Sequence, residues 1–153
     1  MNNFPPQRIV CLTEETVELL YLLGEEDKIV GVTGYAVRPK IVRKQKPRIS
    51  SFKSANIQKI IELKPDIILA FSDIQSEIVA NLVKKGQSVL CFNQRDIEGI
   101  FNMMQTISSL LDIKQKGINL ISKLKKNIYQ IKNKYSNYNK LKVYFEEWND
   151  PLI

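Results

Sequence analysis

The chain has 153 residues, is 44% hydrophobic and carries a formal charge of +7 at pH 7, with 23 Lys and Arg against 16 Asp and Glu and no histidine. That length fits one domain with a buried core, and the hydrophobic fraction excludes a disordered chain. The lack of histidine removes the commonest general base and the commonest metal ligand, and neither a metal site nor a covalently bound cofactor is expected.

Residues 1–8 hold no apolar signal core, and no uninterrupted apolar run approaches membrane-spanning length. If Met1 is the true start, a cytoplasmic location is expected. Arg8 to Leu12 is a β-branched run that predicts the first strand. Thr13 then reads as a helix N-cap with Glu14 and Glu15 in the first turn, where the helix dipole favours acids. Val17, Leu20, Tyr21 and Leu23 give that helix its buried face, and Gly24 its C-cap. Lys28 to Val32 predicts a second strand. Gly34 and Pro39 open a long basic loop, Arg38 to Arg48, which ends near Pro47.

Ile49 to Phe52 predicts a short extended piece, and Ser54 or Asn56 caps a helix from Ile57 to Leu63. Pro65 cannot continue that helix and pushes Lys64 toward extended geometry. Ile67 to Phe71 is a continuous apolar run, the pattern of a parallel strand covered on both faces. Ser72 or Asp73 caps the next helix, with apolar positions Ile74, Ile78, Val79, Leu82 and Val83, and Gly86 ends it. Ser88 to Phe92 predicts another buried strand. Asp96 then caps a helix through Ile97, Ile100, Phe101, Met104, Ile107, Leu110 and Leu111. Cys11 and Cys91 sit in separate strand-like runs and are expected as buried thiols, not a disulfide.

A long helix follows, from about Lys114 to Tyr135, with the stripe Ile118, Ile121, Leu124, Ile128 and Ile131. The segment from Lys114 to Lys142 carries nine lysines and no acid. After a polar linker, Lys142 to Glu147 predicts one more strand with nothing after it to pair with.

Helices alternating with apolar strands predict an α/β fold: a Rossmann-like lobe with a mostly parallel sheet, followed by the long helix and one stray strand. Open parallel sheets take ligands at the carboxyl ends of their strands, which places Phe71 near any site. No GxGxxG or P-loop pattern occurs, so no catalytic residue is assigned and no enzyme is expected.

Arg8-Ile-Val-Cys-Leu-Thr-Glu-Glu15, Ile29-Val-Gly-Val-Thr-Gly-Tyr35, Lys46-Pro-Arg-Ile-Ser50, Ile57 to Ala70 and Val143-Tyr-Phe-Glu-Glu-Trp-Asn-Asp-Pro151 together resemble the amino-terminal lobe of substrate-binding proteins of ABC importers for vitamin B12 and iron-siderophores. The cobalamin-binding-like branch is the nearest resemblance. It implies a ligand-binding lobe over residues 1–112, a connecting helix over 113–136, and the start of a truncated second lobe over 137–153. The implied function is non-catalytic binding of cobalamin, another corrinoid or a related metal chelate for ABC-type uptake. Family members are often periplasmic or surface-anchored.

By that resemblance Phe71 lines the ligand cleft, with Tyr35 and Arg38 in a loop facing it and Trp148 approaching from the second lobe. Glu77 matches a glutamate that docks on an ABC permease. A basic interaction module, binding nucleic acid or another anionic partner, is the alternative. The scattered lysines and the few interleaved aromatics weigh against nucleic acid. An α/β enzyme ranks lower. The apolar carboxyl end also invites a homodimer through its last strand.

Overall fold

A computed structural model describes residues 4–51 and 53–146. Five strands, β1 (Ile9–Cys11), β2 (Ile29–Thr33), β3 (Arg48–Ser50), β4 (Ile67–Phe71) and β5 (Val89–Phe92), form one parallel sheet in the order β3-β2-β1-β4-β5. The helices are α1 (Glu14–Leu23), α2 (Val42–Gln45), α3 (Ile57–Glu62), α4 (Ser76–Lys84), α5 (Ile97–Leu110) and α6 (Lys114–Lys134). The fold is the expected α/β lobe followed by a long helix. Residues up to Ile121 make one compact unit and those from Ser122 another, so the division falls inside α6.

Side chains alternate across each strand. Val10, Leu12, Ile68 and Ala70 join Ile60 of α3 and Ile78 and Leu82 of α4 in one buried cluster. Cys11 and Leu69 point to the opposite face and are equally buried. There Cys11 meets Thr16 of α1, and burial pushes its thiol up to about 12.

The caps follow the sequence in most places. Asn56 accepts from Lys59 N at 2.9 Å and Asp96 from Gly99 N at 2.6 Å, while Gly24 closes α1 at φ +72°. Thr13 holds the N-cap position of α1, but its hydroxyl meets Thr16 Oγ1 at 3.2 Å and makes no cap bond.

Lys64 departs from the extended geometry expected before a proline: its φ is +48°. The helix end outweighs the proline here. Lys64 N donates to Ile61 O at 2.9 Å, and the Arg8 guanidinium donates to Leu63 O and Lys64 O. One Asp66 oxygen accepts from both Gln7 N and Arg8 N, fixing the entry to β1 beside the entry to β4.

Three further expectations are corrected. The basic loop contains the short helix α2. Cys91 is exposed and β5 only half-buried, because among the described residues β5 is an edge strand with no neighbouring strand on one side. In the expected last strand, residues 142–146 carry no strand structure. No strand of the described residues pairs with them, and an apolar run without a ladder partner does not make a sheet. Glu147 lies outside the described residues.

At the start of α6, Lys116 Nζ donates to Glu25 Oε1 at 2.8 Å and to Leu23 O at 3.2 Å, so it also closes the end of α1. The Glu25 side chain is only 11% exposed and pairs with Lys28 as well. Burial raises its pKa, but the hydrogen bonds from Lys116 and Lys28 outweigh burial and hold the carboxyl below the usual range. A depressed folded-state pKa adds stability above the unfolded value, which is lost as pH falls through the folded one. Lys116→Met is therefore expected to cost about 1–2 kcal/mol at pH 7, discounted for the half-exposed lysine. Urea denaturation should show the gap from wild type narrowing below the ordinary glutamate range.

Beyond Ile121, α6 runs on with mostly exposed side chains, including Tyr129 and Ile131. Tyr135 and Tyr138 meet edge to face at 5.5 Å between ring centroids. Leu141, Val143, Tyr144 and Phe145 are exposed.

Candidate functional site

The strand order reverses between β1 and β4, and such a switch point opens a crevice at the carboxyl ends of the strands. Gln75 holds this place together. Its side chain is fully buried; Oε1 accepts from Phe71 N at 3.0 Å and Nε2 donates to Leu12 O at 3.1 Å. One amide thus ties the ends of β1 and β4. Ser72, at φ +56°, turns the chain into a 3-10 turn, Asp73–Gln75, that delivers Gln75 to this position. Ser72 N donates to Phe92 O at 2.7 Å, which carries the β4–β5 ladder one residue further.

Beside this tie lies a hollow of about 640 Å³. Phe71, Ile97, Ile100 and Met103 are its apolar part, and Glu15, Gln94, Arg95 and Asp96 its polar part. Ile97 and Ile100 are exposed although they carry the helical apolar period of α5, because they face the hollow and not the core. The Arg95 guanidinium sits 5.7 Å from the Phe71 ring centroid and bonds Asp73 Oδ1 at 2.9 Å. That bond lowers the pKa of Asp73.

Glu15 enters from the first turn of α1. Burial raises its pKa above the ordinary glutamate range. Gln94 Nε2 donates to its Oε1 at 3.3 Å, whereas Gln94 Oε1 is buried without a hydrogen-bond partner.

The other residues singled out from the sequence do not gather here. Tyr35 follows β2 and is 56% exposed, outside the lining of the hollow. Arg38 is exposed and pairs with Glu18 Oε2 at 3.2 Å, so its charge is already met. Glu77 stands exposed in the first turn of α4, also away from the hollow. Trp148 lies outside the described residues. Sequence reasoning passed over Gln75, Gln94 and Arg95, and placed Ile97 and Ile100 on a helix without giving them a role at the site. The available signal was position alone: residues 93–96 follow a strand of a parallel sheet at its carboxyl end.

Among the described residues no group of three or more Cys, Asp or Glu side chains could hold a metal ion, and no helix is long and apolar enough to cross a membrane.

A family model described as periplasmic binding protein matches residues 9–153. A vitamin B12-binding protein of Vibrio vulnificus (strain YJ016) is 25% identical over 150 residues, covering 97% of this chain and 55% of the relative. An uncharacterized ABC transporter substrate-binding lipoprotein of Bacillus subtilis (strain 168) is 29% identical over 155 residues, covering 97% of this chain and 49% of the relative. The crystal structure of the periplasmic vitamin B12 binding protein of Vibrio cholerae superposes with a TM-score of 0.83 at 22% identity, over 98% of this chain and 59% of that one. The chain spans about half the length of the curated relatives it matches.

Proposed function

The chain belongs to the periplasmic binding protein family, and from that premise we propose that it is a non-catalytic, ligand-binding lobe of an ABC-type uptake system whose ligand is cobalamin, another corrinoid or a related metal chelate. The observation that carries this reading is Phe71. It ends β4 at the switch point, half-buried in an apolar hollow, where an aromatic face can lie against a flat macrocycle. The vitamin B12-binding and ABC-transporter relatives support the ligand class and the link to uptake. On the same reading residues 1–112 are the binding lobe, 113–136 a connecting helix and 137–153 the start of a second lobe. Glu77, exposed on another face, is then a candidate contact for an ABC permease.

Tight capture of a macrocycle needs enclosure over most of its surface. The hollow at Phe71 supplies one wall. Titrated with cyanocobalamin and followed by amide NMR, the 153-residue chain is expected to respond around Phe71 and residues 94–103, with a Kd weaker than about 1 μM. Phe71→Ala should remove that response. Sub-micromolar binding by the monomer would overturn the single-wall reading, and a response that ignores Phe71→Ala would overturn the site.

A further inference from the structure

The chain is strongly basic, yet the hollow is not. Each of the two arginines near the carboxyl ends of the strands already has an acid: Arg38 pairs with Glu18 and Arg95 with Asp73. Glu15 has no such cation. Among the described residues no lysine or arginine lies within ion-pair distance of it, and its partners include the neutral amide of Gln94. That amide spends its N–H on Glu15, leaving its own oxygen buried and unpartnered. The polar wall beside Phe71 therefore offers the Glu15 carboxylate, while its one cation, Arg95, is paired with Asp73.

On the proposed-function reading, we infer that the hollow selects chelates whose periphery is neutral or cationic and carries N–H donors, and that Glu15, positioned by Gln94, is the residue that rejects carboxylate-bearing ones. A side-chain amide of a corrinoid can donate to the Glu15 carboxylate. At a pH where Glu15 is ionised, a carboxylate in the same place meets a like charge in a partly desolvated wall and has no proton to offer. The Phe71 face accepts any flat macrocycle, so selection among macrocycles falls to this wall.

The test pairs ligands that differ in one group: cyanocobalamin against each of its isomeric monocarboxylates, in which one side-chain amide has been hydrolysed. Binding is read from amide shifts around Phe71 and residues 94–103 in the full chain. At least one isomer should bind about tenfold more weakly than cyanocobalamin. Glu15→Gln should recover most of that loss while weakening cyanocobalamin itself, because glutamine removes the charge and keeps the shape. The inference is overturned if every isomer binds like cyanocobalamin to the wild-type chain, a comparison that needs no variant to fold. It is also overturned if the penalty survives unchanged in Glu15→Gln. Absence of any response that depends on Phe71 removes the proposed site, and this inference with it. Equal binding of amide and acid at a responsive Phe71 removes the inference alone.

Discussion

Gln75→Leu is expected to lower the unfolding free energy by about 2–4 kcal/mol, as the sum of two buried groups left unpaired. Leucine is slightly larger than glutamine, so a cavity is not the cause. The loss comes from Phe71 N–H and Leu12 C=O, which the Gln75 amide satisfies at 3.0 and 3.1 Å inside a side chain of zero exposure. Neither group gains a partner from leucine. Urea denaturation measures the cost directly. Amide exchange locates it: Phe71 N–H should lose protection more than the middle of β4, where Ile68 N still donates to Ser88 O at 3.0 Å. A loss under about 0.5 kcal/mol would mean that the strand ends hold together without this tie. The same substitution should blunt any response to ligand at Phe71, since the backbone that aims the ring is no longer fixed to β1.

How much of this arrangement the sequence disclosed depends on which physical term set each element. The junction before β4 was legible, because a proline and an unbroken apolar run leave few other readings, and β4 spans Ile67–Phe71 as expected. Helix starts at Asn56 and Asp96 were legible for a local reason: cap chemistry involves residues three apart in the chain. Lys64 was not, since its positive φ rests on Arg8, far away in the chain. Cys91 was not, because an apolar run reads alike in a central and an edge strand. Lys142 to Glu147 read as a strand on composition, but residues 142–146 carry no strand structure, which needs a partner that composition does not supply.

The candidate site was legible in place and not in detail. Phe71 followed from the sheet rule, and the apolar period of α5 was read correctly. What the period could not say is that Ile97 and Ile100 face a hollow, because core and cleft impose the same spacing. Gln75 was hidden for the opposite reason. A glutamine near a helix start reads as solvated surface, and only the fold brings two strand ends within its reach.

Gly117→Ala is expected to destabilise the chain by about 2–3 kcal/mol, although alanine normally favours a helix over glycine by about 1 kcal/mol. A Cβ at position 117 would lie 2.5 Å from Ser108 Cβ and press on the Ser108 hydroxyl as well. The hydroxyl could rotate, but Ser108 Cβ is fixed by the α5 backbone, so α5 and the start of α6 must move apart. Ser108 is fully buried and donates to Met104 O at 2.6 Å, which leaves it no room to give way. A double-mutant cycle separates the causes. Ser108→Gly should rescue Gly117→Ala by about 1–2 kcal/mol, because it removes the obstructing Cβ. Ser108→Ala should rescue little, because it removes only the oxygen. Equal rescue by both would assign the close approach to the hydroxyl, and a stabilising Gly117→Ala would show that helix propensity, not contact with α5, governs the first turn of α6.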